Sequence, residues 1–442
     1  MALVALVSLW QSLGDLRVSR FHPDESRWVN RSQHVRELQN PRDEYWSDAY
    51  LIRGQPPMGS YVMGLGLLLQ GRDLDTNGPW NFSYGNEGTV TWNLVRGNMP
   101  AEADLIAARR TSVAIGMLTC LAVFAIVTML SHWLGGLVAG LFLAVHPLEV
   151  YLSTLGVSDA TFTGLAAFAV LAALLLARKP TWPRTLLLAL ILAAGASTKL
   201  SPLFLSVGLA VVGLILVLAP VMSRRRRLGR FWARVGALDP KSRRLGWMLL
   251  SLPFLTAALF VLSYPYLWSD PVGRTQVLIE FRQREMRNQA RIWEETSIDT
   301  RAEAIERTWT MLEDRYSATG KLLAKAELLG RGPGDERGYD LPFAIAGLAI
   351  FAVIAFRRGF SHPHLVTFAT LGGQALLILT GLRVDFNRYY LPLVMAGAIC
   401  LGVGVGQGWL WAVAAWARVG RRERRPAPAF VPAGRLTEPA TD

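Results

Sequence analysis

Phe21-His22-Pro23-Asp24-Glu25-Ser26-Arg27-Trp28 places two adjacent carboxylates and an arginine soon after an apolar run, Ala2 to Gly14. Taken alone, the stretch reads as a solvated turn that closes a helix. Held at a membrane–water boundary, the same carboxylates would suit proton abstraction and the handling of charge. The surrounding chain decides between these readings. Of 442 residues, 52% are hydrophobic and 18% charged, and long apolar runs recur throughout. A polytopic helical bundle in lipid fits this composition better than a string of soluble domains.

The net charge of +13 raises nucleic acid as a partner, but the arginines cluster beside the ends of apolar runs. Basic residues there orient membrane helices and meet anionic lipid, so nucleic-acid binding is set aside. Cys120 and Cys400 lie inside apolar runs and form no metal motif. Met1 to Trp10 has no basic region before it and no small-residue cleavage site after it, which argues against a cleaved signal peptide.

Outward from the acidic pair, ten spans are predicted. The first, Ala2 to Gly14, reaches about 20 Å against roughly 30 Å of hydrocarbon, so its helix continues through Leu16 and Val18 or begins upstream. The others are Ile106–Leu130, Leu134–Pro147, Leu155–Ala177, Thr185–Thr198, Pro202–Val221, Trp247–Tyr264, Leu341–Phe356, His364–Leu382 and Tyr389–Ala415. With ten alternating spans, Arg178–Arg184, Arg224–Arg227, Lys241–Arg244, Arg357–Arg358 and Arg421–Arg425 fall on one side, which the positive-inside rule makes cytoplasmic. Residues 15–103, the Lys199 turn, residues 268–340 and Arg383–Arg388 then face outward, with both termini inside. Residues 1–415 form one transmembrane domain, and 416–442 a basic, disordered cytoplasmic tail. Pro56-Pro57-Met58-Gly59 opens a run too short to cross, a helix lying along the interface. Glu280 to Arg291 alternates acids and arginines, and Ile305, Trp309 and Leu312 recur at helical spacing, so an interfacial amphipathic helix is expected there. Arginine-rich, lysine-poor usage fits a prokaryote with a GC-rich genome, and the expected location is its inner membrane.

Several side chains could carry chemistry at the outer boundary. Asp24 is suited to act as a general base on an acceptor hydroxyl. Arg27, one helical turn on, either steadies a phosphate or pairs with the carboxylates. Lys199, at the break Lys199-Leu200-Ser201-Pro202, either snorkels or meets an anion. Asp159 caps a helix or orients a catalytic group. Arg109 and Arg110 sit at the membrane surface or face protein. Arg388-Tyr389-Tyr390 is an interfacial anchor or a ligand for a lipid phosphate. His22 and His146 show no zinc spacing; no cofactor is expected, and a divalent metal has no ligand motif behind it.

Taken in order, these residues resemble the GT-C superfamily of membrane glycosyltransferases, nearest the protein O-mannosyltransferases and the lipid A aminoarabinose transferase. The resemblance rests on Pro23-Asp24-Glu25-Ser26-Arg27-Trp28, Gln55-Pro56-Pro57-Met58-Gly59, Arg109-Arg110, Ser158-Asp159, Thr198-Lys199-Leu200-Ser201-Pro202, Tyr264-Pro265-Tyr266-Leu267-Trp268-Ser269-Asp270-Pro271 and Arg388-Tyr389-Tyr390-Leu391-Pro392. It implies an all-α bundle of about ten transmembrane helices with outer juxtamembrane helices. It also implies a polyprenyl-phosphate donor of a hexose or pentose, transferred with inversion to a protein, lipid or glycan hydroxyl. By that likeness Asp24 is the base, assisted by Glu25. Arg27, Lys199, Arg388 and Arg110 hold the donor phosphate, with Asp159, Gln55, Pro57 and Tyr389 in support. Gln55 departs from the lysine or histidine of relatives, and many relatives add further spans. Two other classes compete. A flippase for a lipid-linked sugar would need charges at mid-membrane and broken helices in two matching halves, which the sequence does not display. An inactive relative serving as an assembly partner sits poorly with the intact Asp24-Glu25-Ser26-Arg27.

Overall fold

The computed structural model describes residues 1–82, 86–222, 240–325 and 338–423. The Arg224–Arg227 cluster and residues 424–442 of the expected tail lie outside them, whereas residues 416–423, expected to be disordered, continue the last helix. The described residues are helical, and the isolated bridge between Ser297 and Val384 is the one extended pairing among them.

Every predicted span is a helix. They are α1 (Ala2–Asp15), α4 (Glu102–Leu130), α5 (Trp133–Val145), α7 (Ser158–Arg178), α8 (Trp182–Ala196), α9 (Ser201–Met222), α10 (Pro240–Ser263), α13 (Asp340–Arg358), α14 (Pro363–Gly381) and α15 (Leu391–Glu423). Between them lie α2 (Pro23–Asn30), α3 (Met58–Leu69), α6 (Pro147–Ser153), α11 (Pro271–Ile292) and α12 (Arg301–Trp309). Among the described residues seven helices are long and apolar enough to cross a membrane, or eight if α5 and α6, bent by 60°, count as one span. The chain is an integral membrane protein. The expected ten is thus seven or eight by length and composition. α1 and α8, of 14 and 15 residues, are shorter, and at about 1.5 Å per residue they fall short of a roughly 30 Å core. The bend follows from Pro147, which has no N–H to donate; His146 turns extended and its ring accepts from Leu148 N at 3.2 Å.

Between lipid-facing helices apolar burial gives little drive, so close packing of small residues does the holding. A Cβ on Gly135 of α5 would meet Gly402 O of α15 at 2.3 Å, and one on Gly213 of α9 would meet Gly246 O of α10 at 2.6 Å. α7 is the most enclosed span, with 78% of its apolar window buried, so Asp159 at its first turn faces protein rather than lipid. Helix ends of like character gather. His362, between α13 and α14, has Arg358, Lys241 and Arg178 as charged neighbours, whereas the acidic stretch, the Lys199 turn and Arg388 meet at the opposite end.

Outside the bundle, α11 lies mostly exposed with Leu278 buried, tied down by Arg282 to Gly54 O at 3.2 Å. The face predicted from Ile305, Trp309 and Leu312 splits: Leu312 is buried, Ile305 and Trp309 exposed. The cause is a widened π turn over Thr310–Arg315, which breaks the helical phase after α12.

Candidate active site

α2 begins sharply because Pro23 occupies its first turn, the His22 ring accepts from Asp24 N at 3.2 Å, and Glu25 Oε2 accepts from His22 N at 2.9 Å. That start sends the two carboxylates different ways. Glu25 is fully buried and accepts two N–H bonds from Arg109 at 2.8 Å each, with a third from Gly156 N at 2.8 Å. Arg109 also donates to Leu16 O at 2.7 Å and Ser19 O at 3.0 Å. Glu25 therefore ties α1, α2, α4 and the turn before α7 together; its oxygens are occupied. Arg110, about 100° further round α4, is exposed and makes none of these bonds.

Asp24 instead points into a second cluster. Its Oδ2 accepts from Arg388, and its side chain stays 24% exposed. Arg388 lies 5.8 Å from the Tyr389 ring centre, and on that ring Lys199 Nζ also rests, at 5.3 Å. Lys199 pairs with Asp159 Oδ1 at 2.7 Å and lies 4.9 Å from the Phe162 ring. Acid and base so alternate, Asp24, Arg388, Lys199, Asp159, around one tyrosine. Burial pushes the Asp24 carboxyl up, but the charges of Arg388, His22 and Arg27 outweigh it and hold the group below its ordinary value. Arg388, despite burial, is held above its own by Asp24.

Arg27 belongs to a different flank. Its Nε donates to Trp80 O at 2.9 Å, and its guanidinium lies 4.4 Å from the Phe82 ring and 5.5 Å from Tyr50. Gln55 is used internally: its Oε1 accepts from Arg31 at 3.0 Å and its carbonyl takes a second bond. Burial lowers Arg31 to about 10. Pro57 ends the approach to α3, and Met58 N bonds Ser197 O at 2.7 Å, docking α3 against the Lys199 turn. Gly59 permits the contact; a Cβ there would lie 2.6 Å from Ser158 Cβ and 2.7 Å from the Trp28 ring.

A narrow apolar recess of about 20 Å³, lined by Phe162, Ser201, Pro202, Leu205, Leu377 and Pro392, lies between α7, α9, α14 and α15; Phe162 joins it to Lys199, whose Nζ is 4.9 Å from that ring. Among the described residues no three His, Cys, Asp or Glu side chains gather to hold a metal ion. Sequence reasoning took Arg110 for the site and missed the part of Arg109. The signal was present: Ser112, Val113 and Gly116 follow Arg109 at helical spacing and make a small-residue face, all buried.

Fold and site together define a helical membrane protein with an interlocked charged cluster beside an apolar recess. No family model matches the chain, and no curated protein sequence matches it significantly. Solved structures do. The archaeal oligosaccharyltransferase AglB from Archaeoglobus fulgidus, in complex with an inhibitory peptide and a dolichol-phosphate, is 13% identical with a TM-score of 0.49, over 97% of this chain and 52% of that one. ArnT from Cupriavidus metallidurans in the apo state is 16% identical with a TM-score of 0.48, over 95% and 63%. The Saccharomyces cerevisiae protein O-mannosyltransferase Pmt1-Pmt2 complex, bound to the sugar donor, is 18% identical with a TM-score of 0.39, over 60% and 34%. The chain spans 52% and 63% of the first two. A protein O-mannosyltransferase, one of the groups that the motifs resemble, is thus among these neighbours. With identities this low, the functional argument rests on this chain's own residues.

Proposed function

We propose that the protein is an inverting glycosyltransferase that moves a sugar from a polyprenyl-phosphate donor to an acceptor hydroxyl on the outer side of the membrane. One observation carries the reading: a partly exposed carboxylate, Asp24, contacts an arginine that shares a tyrosine ring with a lysine, beside apolar helix faces. The apolar helix faces around the recess would meet a prenyl chain lying in the lipid, and Lys199 and Arg388 suit the phosphate at its end. Asp24 takes the proton of the acceptor hydroxyl, whose oxygen attacks the anomeric carbon. The bond from that carbon to the phosphate oxygen breaks, and the electron pair leaves with the phosphate. Cations placed where this charge develops stabilise the transition state most. Glu25, with both oxygens engaged, acts by fixing α2 rather than by moving a proton.

Arg388 links the two halves of the reaction. Without donor it neutralises Asp24. A donor phosphate competes for the same guanidinium and so frees Asp24 to become the stronger base.

The test follows release of polyprenyl phosphate by the purified protein in lipid, across a panel of polyprenyl-phosphate sugars. Wild type is expected to turn over at least one donor, and Asp24→Asn to bind that donor while losing transfer by about a hundredfold or more. Tight binding without turnover in either protein would favour a carrier and end the proposal, as would failure to bind any donor.

A further inference from the structure

Close to Arg388 stand three polar side chains that the proposed chemistry leaves idle. Asn387 Nδ2 donates to the Tyr316 hydroxyl at 3.2 Å. The Tyr151 phenol has Tyr316, Glu25, Arg388 and Asn387 around it, and its side chain is 38% exposed. The three come from remote parts of the chain: α6 just after the bend, the outer segment, and the loop before α15.

Tyr316 is firmly placed. It ends the π turn, its N–H bonding Met311 O at 3.0 Å. Glu313 accepts from Leu341 N on one side of it. On the other, Asp340 accepts from Ala318 N at 2.6 Å and Thr319 N at 3.0 Å. With the chain on both sides of Tyr316 pinned to the start of α13, the residue costs little further ordering when a ligand binds.

We infer that Tyr151, Tyr316 and Asn387 form the subsite for the transferred sugar, and that it selects a neutral, hydroxyl-bearing sugar over a cationic amino sugar. Two phenols and an amide offer donors and acceptors in the alternation that hydroxyls require, with aromatic faces for the C–H side of a ring. Charge argues against an ammonium group. Glu25 is bonded to Arg109 and Glu313 accepts from Leu341 N, while Asp24, freed when donor phosphate takes up Arg388, is committed to the proton of the acceptor hydroxyl. Asp385 is held by Tyr390 at 2.7 Å with Arg307 and Arg315 within 3.8 Å. Arg388, beside Tyr151, supplies positive charge. The inference rests on the proposed donor chemistry but concerns binding, so the two can fail separately.

The experiment measures affinity of the full-length protein in nanodiscs for bare polyprenyl phosphate, for a panel of polyprenyl-phosphate hexoses, and for their amino-deoxy analogues. Wild type is expected to bind one hexose donor more tightly than the bare carrier, and to lose that margin with the amino-deoxy form. Tyr316→Phe keeps the ring and the packing, and with Asn387→Ala should shrink the margin by about three- to tenfold, leaving bare-carrier affinity unchanged. A margin untouched by both variants, an equal fall for bare carrier, no margin in wild type, or preference for the amino sugar would overturn the subsite. A wild-type margin that the variants shrink, without transfer to any acceptor, would leave the subsite standing and remove the transferase reading instead.

Discussion

Asp24 and Glu25 share the first turn of one helix and each has an arginine, yet Glu25 is fully buried while Asp24 is 24% exposed. The division of labour follows from that difference. Glu25→Gln would leave Arg109 charged, enclosed and without its counter-ion, at a cost of about 3–5 kcal/mol. The thermal midpoint in detergent should fall accordingly, and adding Arg109→Met should recover part of the loss. A drop as large for Asp24→Asn would contradict the separate roles. Asp24 makes its own pH signature. A base works only when deprotonated, and Arg388 holds this carboxyl below its ordinary value, so the acid limb of kcat/KM, which reports free enzyme, should lie low. On the proposed mechanism bound phosphate draws Arg388 away and lets the carboxyl rise, so the acid limb of kcat should lie at higher pH. Coincident limbs would sink the exchange of Arg388 between the two anions.

At the scale of elements, the site depends on α2, α3 and the start of α7 meeting closely at Gly59. Gly59→Val would drive a branched side chain into Trp28 and Ser158. Overpacking of this kind costs about 1–3 kcal/mol, and the displaced α2 carries Asp24 with it. Transfer should therefore fall far more than affinity for bare polyprenyl phosphate, whose proposed ligands stand on other elements; loss of both together would mean that the junction merely supports folding. The helices themselves were legible in the sequence, because lipid admits only segments whose backbone bonds close internally and apolar runs mark them. Lys199 was legible as a polar residue at a break. What could not be read was which charges meet. Arg109 and Glu25 are 84 residues apart, and Arg388 and Asp24 are 364 apart. Neighbouring Arg109 and Arg110 differ only in the helix face they present. The π turn before Tyr316 likewise depends on contacts with α13 that no local pattern announces.

On the scale of the whole molecule, alternate helix ends separate two kinds of charge. Arg178, Lys241 and Arg358 gather at one end around His362, while Asp24, Asp159, Lys199 and Arg388 interlock at the other. Basic residues stay on the cytoplasmic side of a membrane protein, so the interlocked end should face out, where an acceptor would be met. Single cysteines can test this, since the native Cys120 and Cys400 are buried and should give little background. Arg42, in the loop after α2, and Arg243, at the start of α10, are both exposed. In intact cells a membrane-impermeant maleimide should label Arg42→Cys and spare Arg243→Cys until the membrane is opened. The reverse pattern would place Asp24 in the cytoplasm, and the donor would then have to be used on the leaflet facing the cytoplasm. The outer-side transfer would fall, although the chemistry argued for Asp24, Lys199 and Arg388 would stand, because it depends on their mutual distances and not on the compartment they face.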